Sequence, residues 1–336
     1  MNALHNRFTQ TFDLETPIAL APMALASGGA LTSACVQAGA LGLVGGGYGE
    51  LAWTEREYRH ALELIEPKIR SRLGIGFITW KLDGNPSALE WVLKLPPEDR
   101  PRAVMLSFGD PRPYGPLVKQ SGGKLICQIQ NLGQIDQALE AGADVIVAQG
   151  GEAGGHGAKA SEGRSTFTLT PQAADYLAQH SPETLLLAAG GIADGRGLSA
   201  AICLGADGAL VGSRLWASKE SLASRRAIES AIAASGDETA RSSIFDILRR
   251  KDWPEPYDFR ALRNDLHRKW ESRIDTLRAD PQDAREEYDT GVTSEDFSRA
   301  HTTVGEAVGL IKSAPTAAEI ISVITTEALS LFSRMK

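Results

Sequence analysis

Between residues 17 and 215 the chain alternates short, continuously apolar runs with longer segments whose apolar residues recur at helical spacing. The runs read PIALAPM (17–23), LGLVGGG (41–47), LGIGFIT (73–79), AVMLSF (103–108), KLICQIQ (124–130), DVIVAQG (144–150), TLLLAAGG (184–191) and DGALVGS (207–213). Continuous rather than alternating hydrophobicity predicts strands buried on both faces of a parallel sheet. The intervening stretches, such as LTSACVQAGA, TEREYRHALELIEPKI and NLGQIDQALEAGA, predict helices that end near glycine. Eight such units predict an α/β protein with a (β/α)8 TIM barrel. A doubly wound open sheet is the alternative, because strand number does not specify closure.

After Ser218 the rhythm stops. Residues 219–300 are charge-rich and helically spaced, as in LHRKWESRIDTLRADPQDAREEY, with DWPEP (252–256) as a sharp break between helices. A smaller C-terminal helical domain is expected there, serving packing or subunit contact, a homodimer included. In HTTVGEAVGLI (301–311), Gly305 and Gly309 suit a loop that returns to the barrel mouth. APTAAEIISVITTEALSLF predicts an amphipathic helix capped near Thr316. The expected organisation is therefore a barrel over 1–218, a helical domain over 219–300, and a returning loop with its helix over 301–336.

The 336 residues carry a net charge of −7 and no basic stripe, which argues against nucleic acid as a partner. Cys35, Cys127 and Cys203 lack paired spacing and sit in apolar surroundings, so buried, reduced thiols are expected rather than disulfides or a metal site. The opening MNALHNRFTQTFDL has no apolar core of a signal peptide, and no apolar run is long enough to span a membrane. A cytoplasmic protein is expected.

In a barrel the site forms where strands end. Gly190-Gly191 and Gly212-Ser213 end the seventh and eighth runs, where glycines let backbone N–H groups approach a phosphate, or simply permit tight turns. GRGLSA (195–200) matches a dinucleotide fingerprint in letters only, since it begins beyond its strand and lacks the acidic partner; it reads as a helix start capped by Asp194. The sixth run ends in AQGGEAGGHG (148–157), which sets His156 over the barrel mouth among glycines that leave room for a flat ligand. An imidazole there can exchange a proton near neutral pH. With no nucleophile–base pair visible, redox or carbon chemistry falls to a bound cofactor.

AQGGEAGGHG resembles the signature of the nitronate monooxygenases, formerly 2-nitropropane dioxygenases. PIALAPMA, AAGGIADGRG and LGADGALVGSRLWAS resemble that family's first-strand motif and its two phosphate turns, so the likeness spans residues 17–218. The resemblance implies an FMN-dependent barrel enzyme. Ala21, Pro22 and Met23 would lie beside the flavin ring, and Gln128 would reach the flavin with Gln149 supporting the same edge. Gly154 and Gly155 would pass under the ring, and His156 would face the substrate. Gly190, Gly191, Gly212 and Ser213 would hold the phosphate, with Arg214 either adding charge there or serving only as a helix-start residue. Where many family members carry an asparagine in the third strand this chain has Gly76, which leaves Thr79 or Trp80 to replace that contact.

The implied reaction oxidises small alkyl nitronates, such as propionate 3-nitronate, with oxygen to a carbonyl compound and nitrite. His156 would stabilise the anion or remove the α-proton of a neutral nitroalkane. The rival on the same barrel is an FMN-dependent NAD(P)H:quinone or enoyl-thioester reductase. A non-catalytic barrel that senses a phosphorylated ligand is the reading from another class.

Overall fold

The computed structural model describes residues 4–334. Residues 1–3 and 335–336, the outermost of the first and last expected segments, lie outside the described residues. Each apolar run forms a strand: β1 (Ile18–Leu20), β2 (Gly42–Gly47), β3 (Leu73–Ile78), β4 (Ala103–Ser107), β5 (Lys124–Ile129), β6 (Val145–Gln149), then, beyond a short β7 (Gly155–Ala158), β8 (Leu185–Ala189) and β9 (Gly208–Val211). The eight parallel strands run in the order β1-β9-β8-β6-β5-β4-β3-β2. Closure comes from a bridge between Ala19 and Leu41, where Leu20 N donates to Leu41 O (2.8 Å) and Leu41 N to Ile18 O (3.0 Å). This is the (β/α)8 barrel.

The continuous hydrophobicity has a direct cause. Along β4, Ala103 and Met105 point into the barrel interior while Val104 and Leu106 pack against the helices; β6 splits Val145 and Val147 from Ile146 and Ala148 in the same way. Successive side chains thus meet apolar surroundings on both faces. The floor, at the starts of the strands, is plugged by Phe8 and Phe12 of the helix Arg7–Phe12, whose rings meet edge to face at 5.4 Å. Asn6 and Thr9 cap that helix reciprocally.

The C-terminal extension is not purely helical. It contributes β10 (Thr239–Ser242) and β11 (Tyr257–Leu262); β11 pairs antiparallel with β10 on one side and with β7 of the histidine segment on the other. Phe245, Leu248, Leu266, Leu277 and Tyr288 build an apolar cluster of its own beneath that sheet. The last helix, Ala317–Arg334, is opened by a Thr316–Glu319 cap and packs against the helix Gly195–Cys203, where Gly195 N donates to Glu327. Asp194 caps the Gly195 helix through Arg196 N and Gly197 N. Cys35 and Cys127 are buried, but Cys203 is exposed, because its position on that helix faces away from the sheet. Among the described residues no helix is long and apolar enough to cross a membrane.

Candidate active site

A cavity of about 630 Å³ opens at the carboxyl ends of the strands. All twelve residues nominated from sequence line it: Ala21, Pro22, Met23, Gln128, Gln149, Gly154, Gly155, His156, Gly190, Gly191, Gly212 and Ser213. The barrel supplies the floor and one end. The extension supplies the rest, through Arg249, Lys251, Trp253, Phe259, Tyr288 and the returning residues His301, Thr303 and Gly305.

At the first-strand end, Ala21 N donates to Val211 O, and Met23 N to the Ser27 hydroxyl (2.7 Å). Pro22 leans so closely on Gly76 that any Cβ at 76 would collide with its ring. That contact, rather than a moved polar group, explains the glycine in the third strand. Neither Thr79 nor Trp80 lines the cavity; Gly76, Phe77 and Ile78 do.

The glutamines form a chain. Gln128 Nε2 donates to Gln149 Oε1 (2.8 Å), Gln130 Nε2 donates to the same oxygen (3.1 Å), and Gln149 Nε2 donates to the backbone O of His156 (3.0 Å). Gln149 thereby ties the sixth strand to the histidine, while Gln128 remains at the cavity wall.

The glycine turns differ from one another. Gly190 (φ +106°) and Gly191 (φ +75°) both lie in the left-handed region that favours glycine. Gly212 does not (φ −101°), and a Cβ there would meet only the Ala21 methyl at 3.7 Å and the Met23 sulfur at 3.9 Å. Ser213 Oγ accepts from Gly305 N (2.9 Å), which ties the returning segment to this turn. Arg214 is turned away, bonded to the backbone oxygens of Ala217 and Ser313, and acts as a helix-start residue.

The histidine segment is held more tightly than its composition suggests. Arg241, from β10, donates to Asp258 O (2.7 Å), Ala153 O (2.9 Å), Gly151 O and Gly155 O (both 3.3 Å), and Arg260 Nε adds a bond to Gly151 O (3.0 Å). Burial and the nearby Arg260 push Arg241 down to about 10, so it stays cationic at neutral pH. Several glycines serve these neighbours: Gly157 makes room for the Arg241 guanidinium, Gly150 for Thr166, and Gly154 for the Val304–Gly305 backbone. At Gly151 and Gly155 an added Cβ would make only ordinary contacts, with Arg164 O and the Thr303 methyl, both at 3.6 Å, while Gly154 and Gly155 line the cavity. Arg241→Met should cost about 3 kcal/mol or more, since several charge-assisted bonds to backbone carbonyls are lost together. Denaturant unfolding checks this; a loss under about 1 kcal/mol would show the clamp to be idle.

His156 is not a loop residue above the mouth but the second residue of β7, paired with Phe259. Its ring stacks on Trp253 (centroids 3.4 Å, planes 11° apart), with Phe259 at 4.7 Å and Phe108 at 6.4 Å. Nε2 lies 2.9 and 3.1 Å from the two oxygens of Asp246, and both side chains are nearly enclosed, 8% and 5% exposed. Burial, with Arg249 and Arg241 adding repulsion, holds the imidazole well below its ordinary value. The same burial raises Asp246 to about 7 against the pull of Arg249 and Lys251. Burial thus disfavours the charged form of both partners, and the shift on His156 favours the neutral imidazole.

Asp246, Trp253 and the Arg241 clamp escaped the sequence reading. YDFRAL alternates large apolar with charged residues, a strand signal that could have revealed β11. A lone carboxylate in the apolar stretch IFDIL could have flagged Asp246.

A model of the nitronate monooxygenase family matches residues 80–327. The chain is 35% identical over 265 residues to nitronate monooxygenase npaC of Metarhizium robertsii, covering 74% of this chain and 71% of that one. It is 30% identical over 339 residues to a nitronate monooxygenase of Neurospora crassa, covering 92% and 88%. Among solved structures it is similar to FabK from Thermotoga maritima, with 25% identity, a TM-score of 0.81 and 99% of both chains covered.

Proposed function

Because the chain belongs to the nitronate monooxygenase family, we propose that it binds FMN at the barrel mouth and oxidises small alkyl nitronates, such as propionate 3-nitronate, with oxygen to a carbonyl compound and nitrite. The observation that carries this reading is one cavity shared by the two glycine turns and His156. The residues suit FMN. Gly190 and Gly191 are left-handed and Gly212 is open above its Cα, so a phosphate can meet main-chain donors there. Ala21, Pro22 and Met23 offer a flat backbone edge, and Gln128 an amide at the wall. When bound, FMN supplies electron acceptance from the nitronate and its passage to oxygen.

The chain's own residues manage the proton and the charge. His156, neutral and set against an aromatic wall, removes the α-proton of a nitroalkane or steadies the nitronate that forms. Trp253, Phe108 and Phe259 limit water around it. The test is anaerobic mixing of the purified protein with propionate 3-nitronate and, separately, with NADPH, while following the flavin spectrum. Bleaching by the nitronate, oxygen-dependent nitrite release and FMN recovered on denaturation are expected. Steady bleaching by NADPH alone would instead favour a quinone or enoyl-thioester reductase. Release of FAD, or a colourless protein that FMN does not reconstitute, would refute the cofactor assignment.

A further inference from the structure

We infer that Asp246 is the positioning residue that turns His156 into a directed base, so that the C-terminal extension completes the reaction centre as well as packing on the barrel. The inference rests on the reading of His156 as the base.

A neutral imidazole has one donor nitrogen and one acceptor, and a carboxylate only accepts. With Asp246 ionised and Nε2 within hydrogen-bond distance of both its oxygens, the ring hydrogen belongs on Nε2. The lone pair is then left on Nδ1, which has no hydrogen-bond partner among the described residues and belongs to a residue that lines the cavity. Trp253 and Phe259 fix the plane of the ring. Asp246 sits on the short helix Ile244–Leu248, whose Ile244, Phe245 and Leu248 are buried in the extension's apolar cluster. The carboxylate is thus held by a folded core and not by a loose loop. In the proton-transfer step the substrate's α-C–H bond breaks, the proton moves to Nδ1, and the bonding pair remains on the substrate as the nitronate. The imidazolium formed is stabilised by Asp246 across the Nε2–H bond.

The charged and titratable groups facing the pair are Arg249, Lys251, Arg241, Asp258, Tyr48 and His301. Above the pH at which the pair takes up a proton, Asp246 is a carboxylate, His156 is neutral and the centre is competent. Below it, activity falls. Without the carboxylate, His156 would face Arg249 and Arg241 unaided, and its proton uptake would move to lower pH.

The experiment compares kcat/KM against pH, on a neutral nitroalkane and on its preformed nitronate, for wild type, Asp246→Asn, Asp246→Glu and His156→Asn, with FMN content recorded for each. Asp246→Asn should lower the nitroalkane plateau about tenfold, the worth of one bond to a charged group, and shift the acidic limb to lower pH. The nitronate should lose less, and Asp246→Glu should restore the limb in part. A plateau within about twofold of wild type with an unmoved limb, while His156→Asn is crippled, would overturn the inference alone. An unimpaired His156→Asn would overturn the base assignment and this inference together. If Asp246→Asn loses its FMN, the glutamate variant decides: FMN retained with the limb unmoved and no gain over asparagine overturns the positioning role.

Discussion

His156→Asn is expected to retain FMN while lowering kcat/KM for neutral nitroalkanes about 10²–10⁴-fold, the usual worth of a positioned base. FMN should remain because the proposed cradle is main chain just beyond β8 and β9, and because the contact from Gln149 reaches the backbone oxygen of residue 156 and survives the change. Asparagine is the informative replacement. Its amide can still donate toward Asp246, whereas alanine would strand a buried carboxylate at a cost of about 1–3 kcal/mol and confuse loss of chemistry with loss of structure. Preformed nitronates should lose less, since they arrive deprotonated and forfeit only electrostatic help. Equal, small losses on both substrate forms would reduce His156 to a packing residue.

The barrel was legible because each of its strands is buried on both faces, which writes hydrophobicity into consecutive positions such as AVML and VIVA. The three-stranded sheet over the mouth was not. β7 reads GHGA, four residues of which two are glycine, too little to show a period, and β10 reads TARS. The arginines of β10 and β11 resembled the charges of a solvated helix, yet Arg241 and Arg260 point at the carbonyls of the histidine segment. Charge normally signals exposure, and here it marks a polar contact within the three-stranded sheet. The nominated residues all reach one cavity because barrel topology gathers strand ends whatever their separation in sequence. The partners of His156 were illegible for the opposite reason: Asp246 lies 90 residues away, on an element with no fixed topological relation to the barrel.

Gly212→Val should raise the dissociation constant of FMN about 10- to 100-fold, the loss of one charge-assisted bond to the phosphate, with the stability of the flavin-free protein nearly unchanged. The choice of Gly212 over Gly191 follows from the backbone. At φ +75° Gly191 would carry strain with any side chain, of order 1–3 kcal/mol, so a flavin defect there would not separate ligand contact from a damaged fold. Gly212, at φ −101°, has only the Ala21 methyl and the Met23 sulfur at ordinary contact distance from an added Cβ. The branched methyls of valine would therefore project into the cavity beside Ser213, where the phosphate is proposed to lie. Ser213 Oγ already accepts from Gly305 N, so a displaced phosphate cannot be recaptured there without disturbing the returning segment. Titration of flavin-free protein with FMN, alongside thermal unfolding without FMN, separates the two effects. Unchanged FMN affinity in Gly212→Val would place the phosphate elsewhere in the cavity and remove the main support for the cradle.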